Sequence, residues 1–142
     1  METIRPAGPH DEDEVFRLIG ELEGKAPDRQ RFGEVYQQNL ADPRVRYWVA
    51  EEDGRLLAFL STHRQCLLHH TGLVAEIEEF IVEPPARGRG IGTRLFETAA
   101  RDCRTNGCLQ LEVCCNLKRL TSHAFYRARG MRSSHYKFFL PL

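Results

Sequence analysis

No apolar run in the sequence approaches the roughly eighteen residues a membrane-spanning helix needs, so no helical membrane anchor is expected. The opening Met1-Glu-Thr-Ile-Arg-Pro lacks a basic stretch followed by an apolar one, so no secretory signal is expected either. Net charge is missing as well: twenty Lys and Arg offset twenty Asp and Glu, which argues against a protein that coats nucleic acid over its whole surface. The five cysteines contain no C-x-x-C pair, and adjacent Cys114 and Cys115 would face opposite sides of a strand. Zinc is therefore not expected, whereas reduced, mostly buried thiols in a cytoplasmic protein are. No repeat, low-complexity tract or linker divides the 142 residues, so a single domain over 1–142 is expected. What is present, 42% apolar and 28% charged residues, suits a globular chain that folds on its own core.

The periodicities alternate along the chain. Asp11 with Glu14 resembles a capping box, followed by Val15, Leu18, Ile19 and Leu22 at helical spacing and a stop at Gly24. A weaker helix is predicted over 28–40, with Phe32, Val35 and Tyr36 on one side. Residues 46–51 and 55–60 flank Asp53-Gly54 and read as a hairpin, with the second strand reaching about 69. Thr71-Gly72 turns into a strand over 73–82, which Pro84-Pro85 must end. Leu95, Ala99 and Cys103 mark a one-sided helix after Gly92. A strand over 109–115, a helix over 120–129 closed by Gly130, and a last strand over 136–140 complete an α/β chain whose sheet is mostly antiparallel.

The most informative stretch is Pro84-Pro-Ala-Arg87-Gly88-Arg89-Gly90-Ile91-Gly92-Thr93, where a strand passes through a glycine-rich turn into a helix. Such a junction aims several backbone N–H groups and the positive end of the helix dipole at one point. Arg87 and Arg89 add full charges, so a phosphate-bearing ligand fits. The loop has no lysine, which excludes a P-loop, and glycines at every second position do not make the G-x-G-x-x-G of a dinucleotide fold.

Arg87-x-x-Gly90-x-Gly92, directly after Phe80-Ile81-Val82, resembles the acetyl-CoA signature of the GNAT superfamily of N-acetyltransferases. Downstream, Asn116 and Ala124-Phe-Tyr126-x-x-x-Gly130-Met131 resemble that family's second conserved stretch, with Met131 in place of the usual Phe. Short pieces along the whole chain, among them Ile4-Arg-Pro-Ala, Asn39-Leu-x-Asp-Pro, Arg46-Tyr47, Leu68-His-His70, Glu76-Ile-x-Glu79, Lys118-Arg119 and Ser134-His135, are similar to the bacterial aminoalkylphosphonate N-acetyltransferases. The resemblance implies a mixed, mostly antiparallel sheet of about six to seven strands flanked by about four helices. It also implies acetyl-CoA as cosubstrate, with the amides of Arg87, Gly88, Arg89, Gly90, Ile91, Gly92 and Thr93 holding the pyrophosphate. The end of the strand, Phe80, Ile81 and Val82, would pair with the pantetheine arm as an added strand, and Asn116 would anchor it.

Acetyl transfer to an amine needs a free amine, a stabilised oxyanion and a proton for the leaving thiolate. In a regular strand Glu76 and Glu78 share one face and Glu79 takes the other. The resemblance implies a bulge here, and one extra residue exchanges the faces. Glu79, then Glu76, is the expected base, acting through water. Tyr126 is the expected acid for the thiolate by the same resemblance, and a backbone N–H near Ile81 or Val82 the oxyanion donor. Arg46, Arg64, His70, Lys118, Arg119 and Lys137 are candidates to hold a phosphonate. The resemblance allows a divalent-cation requirement, but His63 and His69 on one strand would lie about 20 Å apart and His69 and His70 would diverge, so no metal ligand is named.

The neutral sum hides a division. Up to Ala86 the chain holds nine basic and seventeen acidic residues, and from Arg87 onward eleven basic and three acidic, with no acid after Glu112. The expected partners are one polyanionic cosubstrate and a small amine, with no nucleic acid and no membrane, and with a homodimer left open. Acetylation of another amine, a non-catalytic CoA-binding module and a nucleic-acid-binding domain using the late arginines are the rival readings.

Overall fold

Asp53 and Gly54 take φ of +50° and +77°, the left-handed pair that lets a two-residue turn follow the twist of its strands. They join β2 (Val45–Glu52) to β3 (Arg55–Leu67). Thr71, at φ +51°, turns β3 into β4 (Gly72–Val82) through a single 3-10 turn at Leu68–His70. β3 therefore ends two residues short of the position expected from sequence, and His69 lies on the turn rather than beside His63 on a strand. With β1 (Thr3–Pro6) and β5 (Gln110–Val113) the sheet has the order β1-β2-β3-β4-β5, and β1 to β4 pair antiparallel.

The computed structural model describes residues 1–142 and divides them into two compact units, Met1–Glu112 and Val113–Leu142. In the first unit, α1 (Glu12–Glu23) and α2 (Arg29–Leu40) cover one face of the sheet, and Val15, Leu18 and Tyr36 meet Val49, Leu56, Phe59 and Ile81 in one buried cluster. The other face receives α3 (Ile91–Thr105), which buries Ile91, Leu95, Ala99 and Cys103 at the i, i+4 spacing seen in the sequence. A row of rings, Phe16, Phe32, Tyr36, Tyr47 and Phe59, has successive centroids 5.1 to 6.0 Å apart and ties both helices to β2 and β3.

In the second unit α4 spans Leu120–Ala128, and Gly130 follows it at φ +88°. The strand expected over 136–140 does not form. Tyr136, Phe138, Phe139 and Leu140 are all exposed in chain without ladder pairing; an alternating pattern specifies a strand only where a partner edge and a core face receive it. The count is thus five strands and four helices. Asp11 is the N-cap of α1 as expected, but its side chain makes no cap bond there and no capping box with Glu14 forms. The Asp11 carboxylate turns back to accept from the Gly8 N–H (2.7 Å) and from Arg5 (2.8 and 2.9 Å), while Glu14 pairs with Arg17 and accepts from the Leu56 N–H. Tertiary partners outcompete the local cap. Asp28, by contrast, caps α2 by accepting from the Arg31 N–H (2.8 Å). Of the cysteines only Cys103 is buried, Cys66 and Cys114 being exposed, so mostly buried thiols are not what the fold provides. No helix is long and apolar enough to cross a membrane.

Candidate active site

Two irregularities in the sheet place the polar residues. Between β3 and β4, Leu60 pairs with Phe80 but Thr62 pairs with Ile77. Two steps on β3 thus face three on β4, which is a bulge at Glu78–Glu79 opposite Ser61. The extra residue brings Glu76, opposite His63, and Glu79, beside Ser61, onto the same face, the one that carries Phe59 and Ile81. In an unbulged strand they would lie on opposite faces. Between β2 and β3 a second shift at Ala50/Glu51 sets Tyr47 directly opposite Ser61.

Beyond the apolar cluster this face becomes polar. The Glu79 N–H donates to Ser61 Oγ (3.0 Å), and the Ser61 hydroxyl donates to Glu79 Oε1. On the other side of Ser61, Tyr47 Oη accepts from Asn39 Nδ2 at the end of α2 (2.7 Å). Burial raises the Tyr47 phenol above its ordinary value; the Asn39 hydrogen bond opposes this and the Glu79 charge adds to it. Tyr47 is therefore neutral at ordinary pH, and the Asn39–Tyr47 bond and the Ser61–Glu79 pair stand side by side across the β2–β3 register. Sequence reasoning missed Tyr47, Asn39 and Ser61 as partners of Glu79, because only the two bulges bring them into line.

The backbone direction of β4 follows from its bonds. The N–H groups of Glu79 and Glu83 both point toward β3, the latter donating to Leu57 O (2.8 Å). Strand alternation then sends the Ile81 N–H into the same ladder and the N–H groups of Phe80 and Val82 to the opposite edge. Arg87 Nε donates to Val82 O (2.9 Å) from that edge, as this direction requires. β5 lies on that side of the sheet, where the Leu109 N–H donates to Leu73 O (2.8 Å) near the far end of β4.

Glu83 anchors the exit from β4. Its buried carboxylate accepts from Arg17 Nη1 and Arg55 Nη2, each at 2.9 Å. Burial pushes this carboxyl up, but the two guanidiniums outweigh it and hold it below the usual carboxylate range. A 3-10 turn at Pro84–Ala86 follows, then Gly88 and Gly90 at φ +81° and +79°, a region closed to most side chains. Gly90 is the N-cap of α3 and brings no capping side chain. The first turn of α3, Ile91, Gly92 and Thr93, carries the positive end of the helix dipole. These residues fit a pyrophosphate. The loop arginines are already engaged: Arg89 pairs with Glu52 (2.7 Å) and lies 3.8 Å from Glu2, and Arg94 pairs with Glu2. Neither acid is evident from sequence as a neighbour of the loop.

Arg46 and Arg64 lie on the opposite face of the sheet from Glu79. Arg64 is buried and pairs with Asp102 of α3, while Arg46 Nε lies 3.9 Å from the same carboxylate. His70 Nε2 lies 3.9 Å from Glu112. Within the second unit, Asn116 Oδ1 accepts from the Lys118 N–H (2.9 Å), a turn-capping bond. Tyr126 packs edge-on against Phe125. Burial pushes the Tyr126 phenol up to about 12, with Cys115 adding and Arg119 opposing. It therefore holds its proton throughout the physiological range. Lys118, Arg119 and Lys137 are exposed.

The Acetyltransferase (GNAT) family profile matches residues 12–131. The aminoalkylphosphonate N-acetyltransferase of Salmonella typhimurium is 38% identical over 135 residues, covering 95% of this chain and 88% of its own. A structure from Agrobacterium tumefaciens superposes with a TM-score of 0.89 at 25% identity over 99% of both chains. A Clostridium acetobutylicum structure with acetyl-CoA superposes at 0.84 and 18% identity, over 99% of this chain and 96% of that one. The chain belongs to the acetyltransferase (GNAT) family and has that family's α+β fold.

Proposed function

From membership of this family of acyltransferases, we propose that the chain is an acetyl-CoA-dependent enzyme that acetylates the primary amine of a small aminoalkylphosphonate. Attack is direct, within one ternary complex, and the whole chain acts as one transferase domain. The observation that carries the reading is the bulge that sets Glu79 and Glu76 on one face of the strand leading into the glycine loop. The similarity to the Salmonella enzyme, over nearly the full length of both chains, supports the phosphonate class.

Acetyl-CoA supplies the acetyl group and a thiolate leaving group. The chain's residues do the rest. The first-turn amides of Ile91, Gly92 and Thr93, with the loop from Arg87 to Gly90, bind the pyrophosphate through backbone donors and the helix dipole. Phe80 and Val82 present N–H groups at the strand edge where an extended arm pairs, and Val82 rather than Ile81 becomes the oxyanion donor because the Ile81 N–H belongs to the ladder with β3. Asn116 anchors the arm through its amide NH2.

A primary ammonium must lose a proton before it can attack. Glu79 accepts it, directly or through one water, with Glu76 the second carboxylate on the same face. Tyr126 keeps its phenolic proton to about pH 12 and delivers it to the departing sulfur. With Arg46 and Arg64 held by Asp102, His70, Lys118, Arg119 and Lys137 remain the candidates to hold the phosphonate. Five cysteines outside any disulfide suit a reducing cytoplasm. The test is release of CoA thiol from acetyl-CoA in the presence of aminomethylphosphonate. Thiol release that depends on the amine supports the reading, and none above the hydrolysis background rejects it.

A further inference from the structure

Ser61 is fully buried at the centre of β3, yet both its hydrogen-bonding functions are spent on one residue. The bulge explains why. An inserted residue costs the β4 backbone one ladder acceptor, and the Glu79 N–H, which points at β3, finds Ser61 Oγ in its place (3.0 Å). The same hydroxyl then gives its proton to Glu79 Oε1. A two-bond ring closes: the backbone of Glu79 is held by the oxygen of Ser61 and its carboxylate by the hydrogen. Tyr47, directly across β2 from Ser61 and fixed by Asn39, packs the other side. A side chain of Glu has three rotatable bonds, so an exposed Glu on a strand samples many positions. Here Oε1 is pinned by Ser61, and Oε2 is the carboxylate oxygen that Ser61 does not hold.

We propose that Ser61 is a positioning residue for acetyl transfer: it fixes the bulge and the rotamer of Glu79 so that the second carboxylate oxygen, Oε2, meets the acceptor amine. This rests on Glu79 being the base. No proton leaves Ser61 in the step; the amine proton passes to Oε2 while the Ser61 bond to Oε1 stays in place. A buried hydroxyl and a strand bulge act together as a jig for a carboxylate.

The experiment is a double-mutant cycle on the full-length enzyme with Ser61→Ala, Glu79→Gln and both together, measured as kcat and as KM for acetyl-CoA. Ser61→Ala is expected to lower kcat about tenfold, the scale of one lost hydrogen bond to a charged group, with KM for acetyl-CoA within about twofold. In the Glu79→Gln background the same change is expected to cost less than about twofold, because Ser61 has no base left to position. Losses that multiply would overturn the proposal by showing an independent structural role. Full activity of Ser61→Ala beside a slow Glu79→Gln would overturn it while leaving the base assignment intact. Full activity of Glu79→Gln would instead remove the base assignment on which it rests, and the proposal with it. Ser61→Cys fills the same space but donates weakly, so it covers the case in which Ser61→Ala fails to fold; it is expected to fold and to lose rate, and wild-type kcat in it would overturn the proposal.

Discussion

Arg89 of the glycine loop is ion-paired to Glu52 at the end of β2, with Nη2 2.7 Å from the carboxylate. Glu2 lies 3.8 Å from the same guanidinium, and the N-terminal amine lies 3.5 Å from Glu52. A phosphate arriving at the loop must compete with these acids for the arginine. Glu52→Gln is therefore expected to lower KM for acetyl-CoA by about threefold at low salt, with the difference shrinking as salt screens the charges. Steady-state kinetics at two ionic strengths checks this, and a raised KM would show that Glu52 instead holds the loop in its binding form.

Glu79→Gln should lower kcat by about a hundredfold or more, the usual scale of a lost general base. Its KM for acetyl-CoA should stay put, since Glu79 lies on the sheet face and not in the loop. Glu76→Gln should cost less, about tenfold, as the second carboxylate on that face. Equal losses, or a larger one at Glu76, would reverse the assignment.

Tyr126→Phe should lower kcat about tenfold or more, with little change in KM for either substrate. Because burial holds the wild-type phenol protonated to about pH 12, loss of this acid should produce no alkaline fall in kcat below about pH 10. A fall centred between pH 8 and 9 that disappears in Tyr126→Phe would contradict the environment assigned to this residue.

Stability should fall on acidification, and the carboxylates responsible can be named. The hydrogen bond from Arg5 holds Asp11 below its ordinary value, with burial opposing, and Arg17 does the same for Glu14; Glu83 is depressed by Arg55 and Arg17 against its burial. A depressed carboxyl contributes its full stabilisation above the unfolded value near pH 4 and loses it as pH falls through the lower folded value. Asp11→Asn should therefore cost about 2 kcal/mol at pH 7, the scale of a hydrogen bond to a charged group, and should flatten the decline of Tm below about pH 4. Thermal melts across pH for both proteins check the sign.

Much of the architecture is legible in the sequence because local chemistry dictates it. Asp53-Gly54 sets the first hairpin, Pro84-Pro85 ends β4, and Leu95, Ala99 and Cys103 align α3 on the sheet. The glycine loop is legible for the same reason, since Gly88 and Gly90 occupy backbone angles few other residues tolerate. What is not legible depends on register. A two-residue turn at 53–54 pairs Tyr47 with Leu60 if the ladder is regular, whereas the shift at Ala50/Glu51 moves it to Ser61. One residue of slip decides whether a tyrosine faces a leucine or the serine that holds Glu79. The Asp11–Glu14 capping box and the strand over 136–140 failed for a related reason, because caps and strands need partners that a local pattern does not reveal.

The substrate is the central claim, and one comparison tests it directly: the specificity constants of the purified full chain for 2-aminoethylphosphonate and for propylamine, an amine of similar size without the anion, at saturating acetyl-CoA. An enzyme for aminoalkylphosphonates should favour the phosphonate by about a hundredfold or more, the worth of two charge-assisted contacts to the anion, and the product should be its N-acetyl derivative by mass. Equal constants for the two amines, or acetylation of propylamine alone, would contradict it.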